Sequence, residues 1–209
     1  MQLHTYFRSS AAYRLRIALN LKNIAHELVG VNLLKGEHKS AAYLQLNPQG
    51  LVPALVLADG RVITQSTAML EYLEAEYPDQ PLLPKGSFDA AQVRAWVNLI
   101  ACDIHPIDNL RVLKYLTGTL QVSEDDKTQW YLHWIREGFK ALEGQISATP
   151  FCFGSAITLA DVYLIPQVYN AKRFGLDMSD FPKIESAYQA CNNLAAFAQA
   201  APEQQSDAI

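Results

Sequence analysis

The chain has 209 residues, half of them hydrophobic, and a formal net charge of −4 without long runs of one sign. That suffices for one large domain or two modest ones, and it speaks against a nucleic-acid partner, since basic residues gather only at Arg8, Arg14 and Arg16. No run of about 18 apolar residues suggests a membrane span, and Met1-Gln2-Leu3-His4-Thr5 lacks the basic, then apolar, start of a signal peptide, so a cytoplasmic protein is expected.

Residues 3–7 read as a short strand that runs through Ser9 and Ser10 into a helical pattern over 11–22. Serines at such a junction can bind an anion, because backbone N–H groups and the positive end of the helix dipole point there and a hydroxyl can donate to a thiolate or oxyanion. They read equally as an N-cap and its neighbour. A second strand over 26–33 follows the helix, so a parallel, right-handed crossover is expected. A solvent loop at 34–39, a short helix over 41–46 and the turn Asn47-Pro48-Gln49-Gly50 lead into the apolar run 51–57. Pro53 lacks a donor and belongs at the first position of that strand. Asp59-Gly60 is a hairpin dipeptide, which makes 61–64 an antiparallel neighbour. Ser66 is the predicted N-cap of a helix over 68–77 that Pro78 stops.

The proline-rich stretch from Pro78 to Gly86 has the composition of a semi-rigid linker. It divides the chain into a mixed-sheet domain over 1–80, a linker over 81–86 and a second domain over 87–209. There the strand signals fade, and Val93, Val97, Ile100 and Ile104 recur at helical spacing, so the second domain is predicted all-helical. A helix over 124–146 carries Trp130, Trp134 and Ile135, and Thr158-Leu159-Ala160-Asp161 has the spacing of a capping box. The last helix is predicted over 183–197, with 202–207 as a mobile tail. Arg14 and Arg16 are expected as surface or interdomain ion-pair residues. Trp96, Trp130 and Trp134 are read as core or interface residues. His4, His26 and His133 have no clustered partners, so no metal site is expected. Cys102, Cys152 and Cys191 are odd in number and outside any CxxC pattern, and are read as buried reduced thiols.

Five segments, taken in order, resemble the zeta class of the glutathione transferase superfamily, the maleylacetoacetate and maleylpyruvate isomerases. They are residues 8–19, 47–55, Gln65-Ser66, Cys102-Asp103-Ile104-His105-Pro106 and Thr158-Leu159-Ala160-Asp161, and the resemblance covers nearly the whole chain. It implies an α/β thioredoxin-like N-terminal domain that binds glutathione, an all-α C-terminal domain that helps form the substrate pocket, and a homodimer. It makes Pro53 the family's cis-proline, with the Val52 main chain as a strand-like partner for the cysteinyl unit. It assigns Gln65 and Ser66 to the γ-glutamyl end, His38 and Gln49 to further glutathione contacts, and Asp103 to glutathione's amine across a dimer interface.

The same resemblance makes Ser10 the foremost thiol activator, with Ser9 its near competitor. Zeta members often carry cysteine directly after the serine pair; Ala11 stands there in this chain, so no protein thiol acts at that position. The implied reaction is thiolate addition to a maleyl double bond, rotation and elimination of the fumaryl product. Its dicarboxylate substrate calls for arginines, with Arg8 and Arg173 first and Arg111 and His105 as weaker candidates. His105, ahead of Pro106, reads equally as a helix end. The expected activity is maleylacetoacetate isomerisation in tyrosine degradation. Maleylpyruvate isomerisation is the close alternative, followed by a general glutathione transferase and, from another class, a non-catalytic interaction protein on the same scaffold.

Overall fold

The structure, a computed structural model, describes residues 1–208. Its chain divides into two compact units, Met1–Pro81 together with the segment from Asn192 onward, and Leu82–Cys191.

In the first unit the elements are β1 (Gln2–Thr5), α1 (Ser10–Leu21), β2 (Glu27–Gly30), α2 (Ala41–Leu46), β3 (Ala54–Val56), β4 (Val62–Thr64) and α3 (Ser66–Glu76). The sheet order is β2-β1-β3-β4, with β1 parallel to β2 and the other pairs antiparallel, as the βαβ and hairpin readings predict. The hairpin closes through Leu57 N–H to the Arg61 carbonyl at 2.8 Å, with Gly60 at φ 85°, a conformation that glycine adopts without strain. β1 is shorter than predicted because the chain already turns at Tyr6, whose carbonyl accepts from Ser9 N–H at 2.9 Å. α1 is buried nearly all round, with Leu15, Ile17, Ala18 and Leu19 wholly enclosed. At its end the Lys22 ammonium is held by the Tyr77 and Gln80 carbonyls and by Glu74.

Three expectations are corrected. Arg14 and Arg16 are not surface residues; each is 1% exposed. Arg16 is accommodated because fixed acceptors meet its guanidinium: the Ala200 carbonyl at 2.9 Å, Thr5 Oγ1 at 3.0 Å and the Phe7 carbonyl at 3.0 Å. Burial lowers its pKa to about 10, with Tyr13 and Asp207 opposing the shift. The predicted helix over 183–197 is two helices, α8 (Pro182–Asn192) and α9 (Ala195–Ala198). The predicted mobile tail is ordered. Pro202 and Gln205 are buried, Gln205 Nε2 donates to the Gln199 and Ala201 carbonyls, and Asp207 accepts from Phe7 N–H. The segment expected to finish a domain over 87–209 thus packs with the first unit.

The second unit contains α4 (Ser87–Asn98), α5 (Leu110–Gly118), α6 (Glu124–Glu143) and α7 (Leu159–Arg173), with α8 closing it. Val93, Val97, Ile100 and Ile104 are all buried, as their spacing predicts. The helix widens to π geometry over Leu99–Ile104, which no periodicity signalled. There Ile104 sits so close to Gly138 that a Cβ on α6 would lie 2.2 Å from its Cδ1. The capping box is realised: Asp161, fully buried, accepts from the Thr158 N–H and hydroxyl through Oδ2 and from Cys152 N–H through Oδ1. Trp96 is buried and donates to Gln145, while Trp130 donates to the Ile107 carbonyl. Cys152 and Cys191 are buried thiols, but Cys102 is exposed, because the π segment turns it outward. Among the described residues no helix is long and apolar enough to cross a membrane.

Candidate functional site

At the β1–α1 junction Ser9 is the N-cap of α1, its Oγ accepting from Ala12 N–H at 3.2 Å. The capping reading therefore holds for Ser9, yet it leaves the hydroxyl's own proton available to a second acceptor. Ser10 opens the helix and is 6% exposed, whereas Ser9 is half-buried. Of the pair, Ser9 is the more exposed. Arg8 is exposed and rests its guanidinium over the Phe7 ring, 4.8 Å from the centroid.

A second cluster surrounds the loop before β3. Asn47, buried, donates to the Leu51 carbonyl at 2.7 Å and accepts from Gln49 N–H at 3.1 Å, and the Tyr43 hydroxyl also donates to Leu51. These bonds hold the main chain leading into Val52, and the Val52–Pro53 peptide is cis, as the resemblance implies. Gly50 has φ 61°, and a Cβ there would meet the His38 carbonyl at 3.0 Å. Glycine thus lets the turn bearing His38 approach the loop bearing Gln49. Gln49 in turn accepts from Gln65 Nε2 at 2.7 Å.

Ser66, the predicted N-cap, is instead the first residue of α3, and Gln65 occupies the cap position without a side-chain capping bond. The reason is conformational: Gln65 has φ 70°, a region that costs a non-glycine residue about 1–3 kcal/mol and marks functional clamps. Gln65 thus leaves the first turn of α3 without a side-chain cap. Ser66, buried, accepts from Arg14 Nη1 at 3.3 Å. His38, Gln49, Gln65 and Ser66 thus all lie in the first unit, with Gln49 and Gln65 hydrogen-bonded to each other; the strain at Gln65 and the buried Arg14 escaped sequence reasoning.

The remaining candidates lie in the second unit. Asp103 is exposed on the π segment. His105 caps that segment in αR geometry, with its N–H on the Ile100 carbonyl, so local packing overrides the pre-proline preference. Arg111 is exposed in the first turn of α5, where Asn109 caps the helix. Arg173 ends α7, exposed, with its guanidinium 4.6 Å from the Phe174 ring centroid. It also bonds to Tyr131, which stacks on Phe174 at 3.9 Å.

Sequence reasoning missed Asp108. It is 5% exposed, and both its carboxylate oxygens are buried without a hydrogen-bond partner. Burial raises its pKa to about 8, so it is mostly protonated at neutral pH. It belongs with Tyr131 and Arg173: burial and the Asp108 charge raise the Tyr131 pKa, and Arg173 opposes them. In sequence, Asp108-Asn109 reads only as a helix start, and nothing local distinguishes the buried acid from the cap. A surface groove of about 580 Å³ along α6 contains none of the candidates.

Residues 8–76 match the family model for the glutathione S-transferase N-terminal domain, and residues 135–199 that for the C-terminal domain. The chain is 47% identical to the probable maleylacetoacetate isomerase of Vibrio cholerae over 99% of this chain and 97% of that protein. Among solved structures it is similar to a holo maleyl pyruvate isomerase, a bacterial zeta-class glutathione S-transferase, with a TM-score of 0.96 and 43% identity over the whole of both chains. It is also similar to the maleylacetoacetate isomerase of Anaeromyxobacter dehalogenans with bound dicarboxyethyl glutathione and citrate in the active site. That match has a TM-score of 0.89 and 38% identity over 100% of this chain and 93% of the other.

Proposed function

The chain belongs to the glutathione S-transferase family, and from that premise we propose that it is a glutathione-dependent isomerase converting maleylacetoacetate to fumarylacetoacetate. The observation that carries the reading is the adjacency of Arg8 and the half-buried Ser9 at the N-terminus of α1. A cation and a hydroxyl donor stand side by side where a helix dipole already favours negative charge. The rest of the first unit fits the peptide: the uncapped α3 N-terminus with Gln65 and Ser66 suits an α-amino-acid end, Gln49 and His38 suit its flank, and the Val52 main chain suits strand-like pairing.

When bound, glutathione supplies a thiolate that adds to the maleyl double bond, leaving a single bond free to rotate before elimination. The Ser9 hydroxyl donates a hydrogen bond to the sulfur, with Ser10 behind it, and so favours the thiolate nearer neutral pH. Arg8 offers charge to the carbonyl oxygen on which negative charge develops. Arg173, backed by Tyr131, binds a substrate carboxylate, and Arg111 and His105 are further candidates on the same unit. Asp108, mostly protonated by its burial, brings little opposing charge to the Tyr131 side of this unit at neutral pH. The relative's bound dicarboxyethyl glutathione, which joins glutathione and a dicarboxylate in one molecule, supports this reading. We further read the enzyme as a cytoplasmic homodimer in tyrosine degradation, with Asp103 offered to the glutathione of the second subunit.

The test supplies maleylacetoacetate with catalytic glutathione and follows the fumaryl product. Turnover without net loss of glutathione is expected. Stoichiometric consumption would make the protein a general transferase, and failure to bind glutathione in calorimetry would leave an interaction protein. Maleylpyruvate run in parallel decides the second reading, which the similarity to a maleyl pyruvate isomerase favours.

A further inference from the structure

Phe7 lies beyond the end of β1, so the sheet ladder does not hold it, yet both its main-chain polar groups are bound by side chains. Its N–H donates to Asp207 Oδ2 at 3.0 Å, and its carbonyl accepts from Arg16 Nη2 at 3.0 Å. Arg16 is fixed in turn by the Ala200 carbonyl and Thr5 Oγ1. The segment that brings Asp207 is anchored by buried Pro202 and Gln205, and Asp207 Cβ lies 3.7 Å from where a Cβ on Gly30 would stand. The Phe7 ring is the platform on which the Arg8 guanidinium rests, and Ser9 N–H is bonded to the residue before Phe7.

We propose that the segment from α9 to Asp207 is a clasp that positions the Phe7-Arg8-Ser9-Ser10 turn, with Asp207 and Arg16 as its positioning residues. The inference rests on the glutathione reading above and adds to it a part of the chain remote in sequence. A shift of Phe7 displaces both the substrate-side cation and the thiol-side hydroxyl, and a misplacement of about 1 Å can cost roughly a hundredfold in rate. Gln49 and Gln65 hang on other elements, so the clasp governs the sulfur end of the site more than the peptide end.

The experiment compares Asp207→Ala and Asp207→Asn with the wild type; the asparagine oxygen can still accept from Phe7 N–H. Without ligand, amide exchange at Phe7 to Ser10 accelerates in D207A and stays near wild type in D207N. With glutathione, ultraviolet titration shows the bound thiol's pKa raised in D207A, kcat drops about tenfold, and the glutathione Kd stays within twofold. D207N recovers most of the rate. Unchanged exchange and thiol titration in D207A overturn the clasp, as does a loss that merely follows the fraction of protein unfolded or that is equal in both variants. Absence of wild-type turnover would instead reject the isomerase reading, and the exchange measurement would still judge the clasp.

Discussion

The two units treat their polar site residues in opposite ways. In the first, Gln65 is paired with Gln49, Ser66 with Arg14, Ser9 with the α1 backbone, and Phe7 is held from both sides. In the second, Asp103, Arg111 and Arg173 reach outward, and Asp108 is buried with neither oxygen satisfied. A pre-bonded site suits a ligand that never changes, because its donors are already oriented and lose little freedom on binding. Exposed cations and an unsatisfied acid suit a partner that completes them. The contrast supports the proposal that glutathione meets the first unit and the variable acyl substrate the second.

The largest effect is expected where the first unit meets the chemistry. Ser9→Gly removes the hydroxyl but costs only a few tenths of a kcal/mol as a cap, so it should lower kcat about a hundredfold at neutral pH with little change in Tm. Ser10→Ala should lose less than about tenfold. A larger loss in S10A, measured by fumaryl product formation, would restore Ser10 as the activator. Next, Arg173→Ala should raise the maleyl-substrate KM about tenfold, some 1.4 kcal/mol, while calorimetry shows the glutathione Kd unchanged. Equal weakening of both ligands would erase the division between units.

Gln65→Gly probes the opposite side. It removes the amide while relieving the positive φ, so glutathione affinity should drop roughly tenfold with Tm held or slightly raised. A fall in Tm with unchanged affinity would make Gln65 structural. A further prediction concerns Asp108. Its folded pKa of about 8 stands above an unfolded value near 3.9. Between those values the folded state holds a proton that the unfolded state lacks, so stability declines as pH rises from about 4 to about 8 and is level beyond. Asp108→Asn should remove that decline, seen as a Tm advantage over wild type that widens as pH rises from 5 to 8. Parallel Tm curves would mean that Asp108 is satisfied in solution and that the second unit is no less paired than the first.

Local signals made much of the fold legible. The predicted helix at 41–46 is the observed α2, because Ser40 caps it and Asn47 closes it. Asp59-Gly60 and Pro53 delimit β3 and β4 for reasons contained in their own side chains. The residues proposed to meet glutathione were legible only as a set of motifs in order. What escaped was set at a distance. Arg16 looks like a surface charge until the Ala200 carbonyl, far along the chain, reaches it. Asp108 looks like part of a helix cap until packing seals it. The π widening at Leu99–Ile104 depends on the room that Gly138 leaves on another helix. Ser9 and Ser10, equivalent on paper, differ in burial and in that Ser9 caps α1 while Ser10 opens it.

The bond from Arg16 to Ala200 spans 184 positions, and at a synthesis rate of about 5–20 residues per second those positions take roughly 10–40 s to make. Throughout that interval a nascent chain carries an arginine meant for the interior without the carbonyl that will receive it. Leu82–Cys191, contiguous in sequence, needs no such wait. Of the two units, the one begun first on the ribosome is thus the one completed last.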